Sequence, residues 1–287
     1  GGGHAHMVTL AKLRTFVEKG HRVTVIGPSD HHYYSGMGPG MLGKTYTPEE
    51  IRFATKHVVE KHGGTFIRDK AVQILAGEKT VMLASGETVG YDVISFNAGS
   101  YVPRLDLPED AKDVYSVKPI ERLMEAQARI LELVVQKNIT IGILGGGPSA
   151  AEVAGNIWQL VRDAGGNMPQ LKIFAGKRFM SRFPDNVRSK LQQSLTHRGI
   201  EINTGGYVQS VQSGTVTLDS GETHALDFIF LAIGVEPNPI FINSGLATGP
   251  DGGLLGVFDI HGVGRDAARI AAAIAKRARS TAVPEQV

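Results

Sequence analysis

Thr140-Ile141-Gly142-Ile143-Leu144-Gly145-Gly146-Gly147-Pro148-Ser149-Ala150 is an apolar run that stops in glycines and opens into a helix-like segment. Thr140–Leu144 has the length and composition of a buried strand, and Ser149–Val161 carries apolar residues at helical spacing. Between them stands G-x-G-x-x-A, whose positions each answer a need at a turn that meets a dinucleotide. Gly145 makes the tight turn, Gly147 lets backbone approach a pyrophosphate, and Ala150 lets helix and strand pack closely. The free amides and positive dipole at the helix start then face the phosphates. The six residues alone are a weak signal, which the strand, loop, helix and next strand (Leu171–Phe174) around them strengthen. A glycine-rich turn with no ligand is the alternative reading.

The second strand of such a unit usually ends in an acid that holds the ribose hydroxyls of NAD. Here Leu171-Lys172-Ile173-Phe174 runs into Ala175-Gly176 and then Lys177-Arg178. Two cations stand where a 2′-phosphate would lie, which favours NADPH over NADH. Ordinary solvated turn charges are the competing account.

Beyond this stretch, the pattern predicts a helix at Asp185–Arg198, a strand at Glu201–Asn203, a meander to Leu218 and a strand at Phe228–Ala232. The first half repeats that plan. Gly1-Gly2-Gly3-His4-Ala5-His6 precedes a helical pattern at Val8, Leu10, Leu13, Phe16 and Val17, closed by Gly20. Val23–Ile26 reads as a β-branched strand stopped by Gly27-Pro28, with Ser29-Asp30 following instead of a terminal acid. The strand that should precede Gly1 is expected to be missing from the given sequence. G-x-G-x-x-H is a poorer fingerprint, and a vector-derived tail is an alternative that the helix and strand after it speak against. A metal site at His4, His6, His31 and His32 is not expected, because neighbouring histidines on regular elements cannot face one point.

From Pro48 to His62 the spacing predicts a helix, with Pro48 and Glu49-Glu50 in its first turn. Thr65–Arg68, Ala71–Leu75, Thr80–Ala84 and Tyr91–Phe96 read as strands of a small antiparallel meander. Pro103–Pro108 looks like a linker, and Ser116 precedes a helix with apolar positions Ile120, Leu123, Met124, Ile130, Leu131, Val134 and Val135. The fold class expected is α/β, with two Rossmann-like units, each a parallel sheet with helices plus an antiparallel meander.

Two strand ends share a form: Asp92-Val93-Ile94-Ser95-Phe96-Asn97-Ala98-Gly99-Ser100 and Asp227-Phe228-Ile229-Phe230-Leu231-Ala232-Ile233-Gly234-Val235-Glu236-Pro237-Asn238. Each is an acid, an apolar strand and then a small residue two before glycine, which lets the chain cross against a bound dinucleotide. With the two glycine loops, these residues resemble the flavoproteins that carry two dinucleotide-binding domains. Tyr34-Ser35-Gly36-Met37 and Pro39-Gly40-Met41 resemble the type-two NADH dehydrogenase branch, and the flavoprotein domain attached to some selenide, water dikinases. The likeness covers Gly1 to about Gly253.

The resemblance implies an FAD-binding domain over residues 1–115 and again over 241–287, with an NAD(P)H-binding domain over 116–240. It places FAD against Gly1, Gly3, His4, Ala5, His6, Ser29, Ser35, Gly36, Asn97, Ala98, Gly99 and Ser100. It places the nicotinamide nucleotide against Gly145, Gly147, Pro148, Ser149, Lys177, Arg178, Ala232 and Gly234. Glu152 would either face the nicotinamide or favour the helix start. Asp259, in Gly256-Val257-Phe258-Asp259, looks like the family's aspartate for the FAD ribityl chain in a segment with its middle removed. The implied reaction passes a hydride from NAD(P)H to flavin and electrons on to an acceptor such as a quinone. Because the cofactors carry the chemistry, no obligatory acid–base pair is expected. A nucleotide-binding regulatory or docking module without turnover is the reading from a different class.

Composition narrows the classes. The 287 residues contain no cysteine, so neither the redox pair of a disulfide reductase nor that of a sulfide:quinone reductase can be built from them. Thirty basic against 28 acidic residues leave a net charge of +2, which gives no reason to expect a nucleic-acid partner. No apolar run is long enough to span a bilayer and no signal-peptide pattern opens the chain, so a cytoplasmic setting is expected. Peripheral membrane contact stays compatible, and the alanine-rich basic stretch Arg265–Arg279 reads as a packed helix in preference to a membrane-lying one.

Overall fold

The computed structural model describes residues 1–103, 107, 111–212 and 214–255. Asp259, its segment and the helix expected from Arg265 lie outside the described residues, as does most of the expected linker at 103–108. In chain order the elements are α1 (His4–Ala11), α2 (Leu13–Glu18), β1 (Thr24–Gly27), β2 (His32–Tyr33), a 3-10 turn at Ser35–Met37, α3 (Gly38–Leu42), β3 (Arg52–Phe53) and α4 (Thr55–Lys61). Then follow β4 (Thr65–Arg68), β5 (Ala71–Leu75), β6 (Thr80–Leu83), β7 (Thr88–Gly90), β8 (Ser100–Tyr101), β9 (Val114–Ser116), α5 (Glu121–Gln136), β10 (Thr140–Leu144) and α6 (Pro148–Ala164). The rest are β11 (Gln170–Phe174), α7 (Asp185–His197), β12 (Glu201–Asn203), β13 (Val208–Gln212), β14 (Thr215–Leu218), β15 (Thr223–Ala225), β16 (Phe228–Leu231), β17 (Glu236–Pro237) and α8 (Ile240–Asn243).

Two contact-dense units emerge. Among the described residues, one holds Gly1–His32, Arg52–Ser100 and Glu236–Leu255; the other holds Tyr33–Ile51 and Tyr101–Val235. In the second unit the sheet order is β12-β11-β10-β16-β9, and every pairing within it is parallel. A parallel sheet needs cover on both faces, and the sequence supplies it through near-continuous apolar strands. Ile141, Ile143, Phe228 and Phe230 pack with Leu123, Ile130, Val153 and Ile157 of α5 and α6. Their neighbours in the strands, Leu144, Ile229 and Leu231, face the other way, onto Val211, Val216 and Leu218 of the antiparallel β13-β14-β15 meander. Alternation along each strand thus builds two cores from one sheet. Asp227 fixes the amino edge, its Oδ2 accepting from the Thr140 amide at 2.9 Å.

The Tyr33–Ile51 segment packs on the helices of this unit. Gln127 Nε2 donates to the carbonyls of Met41 at 2.8 Å and Leu42 at 2.9 Å, and Gln159 Nε2 donates to Thr45 Oγ1 at 3.0 Å.

The first unit carries a smaller parallel pair, β1 with β4, over a core of Leu10, Leu13, Val25 and Val59. A second antiparallel meander, β5-β6-β7, meets α8 through Ile74, Ile240 and Phe241. Three expectations need correction here. Thr65–Arg68 is not a meander strand but the parallel neighbour of β1, and the third meander strand is Thr88–Gly90. Tyr91–Phe96 forms no strand, because no described strand runs beside it to take up its amides and carbonyls. The helix predicted from Pro48 starts only at Thr55. Thr47 and Glu50 bond each other reciprocally, Thr47 N to Glu50 Oε2 at 2.7 Å and Glu50 N to Thr47 Oγ1 at 3.3 Å. That is the hydrogen-bond pattern of a capping box, closing a turn with no helix behind it. Ser116 likewise ends β9, and α5 starts at Glu121.

Candidate functional site

In the second unit the chain runs from β10 to β11 and β12 on one side, and β16 lies on the other side of β10. The carboxyl ends of β10 and β16 therefore form a topological switch point, where open α/β sheets bind ligands. Gly145, at φ +139°, occupies this edge; a Cβ there would run into the Ala232 carbonyl at the end of β16. The turn is tied to both neighbouring strands: Gly145 N donates to Phe174 O at 3.0 Å and Ala232 N to Leu144 O at 2.8 Å. Gly147 and Gly234 differ from Gly145, since a Cβ on either meets nothing within 4 Å. Both face open space at the crevice.

Gly147 is the N-cap of α6, Pro148 begins it, no side chain caps it, and its first turn holds no acid. The amides at this helix start and the positive end of the dipole are left for an anion. Ala150 is fully buried, as close packing of α6 on the sheet requires. Glu152 sits beyond the first turn, where the helix dipole has little reach. Desolvation by the surrounding protein raises its carboxyl pKa although the side chain lies at the surface.

β11 ends with Ala175 buried where an acid was sought, and its amide donates to Asn203 O at 2.9 Å. Met180 N donates to Gly146 O at 2.7 Å, so the loop with Lys177 and Arg178 folds back beside the glycine turn. Lys177 Nζ stands 5.9 Å from the centre of the Tyr207 ring, and Arg178 Nη2 donates to Asp185 Oδ1 at 3.1 Å. Gly145, Gly147, Pro148, Ser149, Glu152, Lys177, Arg178, Ala232 and Gly234 are thus gathered at the carboxyl edge of one sheet.

In the first unit, Gly1, Gly2 and Gly3 lie against Asn97 and Thr55. A Cβ on Gly1 would come within 2.5 Å of Asn97 O, and one on Gly3 within 2.5 Å of Asn97 Nδ2. That Nδ2 is buried and has no hydrogen-bond acceptor. His6, in the first turn of α1, is buried; its Nδ1 lies 2.6 Å from Gly1 O and its Nε2 2.7 Å from Ser95 Oγ. Burial, as the main cause, pulls its pKa down to about 4. Within this unit Asn238 N donates to Gly99 O at 3.2 Å. Ser29 Oγ accepts from the His31 amide at 3.3 Å.

Asp30 follows the first strand in sequence but is not among the residues that the resemblance places against FAD. Its Oδ1 is buried without a hydrogen-bond donor, the nearest cation being Arg68 Nε at 4.0 Å. Strand-end acids are sought at the last strand residue, and this one stands three residues on. Ser35 and Gly36 lie in the 3-10 turn of the Tyr33–Ile51 segment, which groups with the second unit. The orphaned Asn97 amide as donor, the orphaned Asp30 oxygen as acceptor and the glycine cradle are the set that a phosphate and ribose would satisfy.

Two glycine loops on two α/β units define a protein built to hold dinucleotides. The family of pyridine nucleotide-disulphide oxidoreductases matches residues 1–260, and the chain belongs to it. Escherichia coli nitrite reductase (NADH) large subunit is 24% identical over 220 residues, covering 73% of this chain and 25% of that protein. Demethylphylloquinone reductase NdbB of Synechocystis is 21% identical over 267 residues, 88% of this chain and 65% of the relative. A Mycobacterium tuberculosis NADH dehydrogenase-like protein is 25% identical over 183 residues, 61% and 46% of the two chains. Among solved structures, an engineered water-forming NADPH oxidase derived from the Lactobacillus brevis NADH oxidase superimposes with a TM-score of 0.69 at 20% identity, over 87% of this chain and 56% of that one. The chain spans a quarter to two thirds of the length of these curated relatives.

Proposed function

We propose that the chain belongs to an FAD-dependent oxidoreductase that takes a hydride from NAD(P)H, preferring NADPH, and passes electrons to a small acceptor such as a quinone. Residues 1–115 and 241–287 would hold FAD, and residues 116–240 the nicotinamide nucleotide. The observation that carries this reading is the uncapped, acid-free start of α6 at the switch point, with open space at Gly147 and Gly234. There the α6 amides bind the pyrophosphate and Ser149 adds its hydroxyl. Asn97 Nδ2 and Asp30 Oδ1 are positioned to give and take hydrogen bonds with the flavin nucleotide. A bound flavin would supply the two-electron chemistry that the side chains lack. The protein's own contribution is binding, orientation and exclusion of water.

NADPH is favoured by Ala175 in place of the ribose-binding acid and by Lys177 and Arg178 after it. The engineered NADPH oxidase is described by a similar exchange, an aspartate replaced by alanine and an alanine by arginine. The quinone acceptor follows from the Synechocystis relative being a demethylphylloquinone reductase. No helix of the described residues is long and apolar enough to cross a membrane.

The protein should purify with flavin absorption bands that bleach anaerobically on adding NADPH, faster than with NADH, and return on adding a soluble quinone. A colourless protein that still binds NADP(H) would make it a binding module instead. Bleaching much faster with NADH would remove the role given to Lys177 and Arg178.

A further inference from the structure

One carboxylate oxygen joins two arginines beside the loop after β11. Asp185 Oδ1 accepts from Arg178 Nη2 at 3.1 Å and from Arg188 Nη2 at 2.6 Å. The three groups are unequal in exposure: the side chains of Asp185 and Arg178 are 79% and 56% exposed, whereas Arg188 is only 17% exposed. Arg188 Nη1 is enclosed without an acceptor. We infer that Arg188, acting through Asp185, sets the charge of the subsite for the 2′-phosphate of NADPH and so determines preference for it. This rests on the NAD(P)H reading above.

The argument is one of charge. Arg178 alone with Asp185 would be neutralised, and a neutral pair offers little to an incoming phosphate. Arg188 restores one positive charge to the trio, and Lys177 beside Tyr207 brings these four groups to two. A phosphate monoester carries about −1.5 to −2 at neutral pH, so the cluster matches it. Arg188 needs no contact with the phosphate for this, because Coulomb attraction outreaches a hydrogen bond. A mostly buried guanidinium with an unmet N–H also gains from added negative potential. The competing account is a helix-start pair at i and i+3 on α7, which would make no distinction between phosphorylated and unphosphorylated ribose.

Calorimetric titration of the full chain with 2′,5′-ADP and with 5′-ADP separates the two. Arg188→Gln should weaken 2′,5′-ADP by about tenfold and leave 5′-ADP within about twofold, the loss of one charge acting on one phosphate. Arg188→Lys should keep most of the affinity. Asp185→Asn, a change at an exposed residue that leaves the core alone, should tighten 2′,5′-ADP. Equal weakening of both ligands in Arg188→Gln, or weaker 2′,5′-ADP binding in Asp185→Asn, would overturn the inference while the NADPH reading stands. A wild-type protein that binds the two ligands equally would instead overturn the NADPH preference itself, and the inference with it.

Discussion

At the residue scale, His6 replaces the small third member of the first fingerprint, and the structure shows where its ring goes. It bridges Gly1 O and Ser95 Oγ from a buried position, so its neutral form is favoured and its pKa falls from 6.5 to about 4. Between those values the unfolded chain binds a proton that the folded one refuses. Stability is therefore fully present above pH 6.5 and is lost as pH falls towards 4, by up to about 3 kcal/mol. Urea midpoints measured at the two ends of that window should differ by this route in the wild type, and the difference should shrink in His6→Gln. An equal pH dependence in both proteins would remove the assignment. Gly145 makes a second residue-level case. Alanine there would meet both a left-handed φ of +139° and the Ala232 carbonyl. Gly145→Ala should cost roughly 1–3 kcal/mol of backbone strain and displace the loop, so that nucleotide affinity falls along with the melting temperature.

At the element scale, the proposed binding role of α6 would come at the expense of its own stability. A helix start usually gains from an acid in its first turn, and this one has none. Ser149→Asp should therefore leave the melting temperature unchanged or raised, while weakening pyridine-nucleotide binding by about tenfold or more through repulsion of the phosphates. A fall in both quantities would mean that the variant damaged the fold instead. Elements of this kind were legible because two periodic signals met at glycine: β10, α6, β11, β12 and β16 fall within a few residues of their predicted bounds. Those that escaped have physical causes. The turn at Thr47–Glu50 carries helix-start chemistry that is satisfied within the turn itself. Tyr91–Phe96 has the apolar composition of a strand and no described strand to pair with. Asp30, Asp185 and Arg188 could not be found from spacing, since their meaning lies in an unmet hydrogen bond or a shared partner, which only coordinates reveal.

At the scale of the whole molecule, the two units differ in how well their sheets are supported. The second unit has five parallel strands covered on both faces, with Ile141, Ile143, Phe228 and Phe230 fully buried. In the first, β1 pairs only with β4 among the described strands, and few fully buried side chains hold it. Local opening follows buried apolar contact, so amides of β1 and β4 should exchange with solvent deuterium by partial unfolding, well before those of β10, β11 and β16. Ligands then discriminate the assignments, because a ligand stabilises the unit that binds it by mass action. FAD should slow exchange at Gly3–Met7 and across β1 and β4. NADPH should slow it at Gly147–Ala151 and leave β1 and β4 nearly as before. Protection of the first unit by NADPH and of the second by FAD would reverse the two assignments, and protection of neither by FAD would leave the chain a pyridine-nucleotide binder alone.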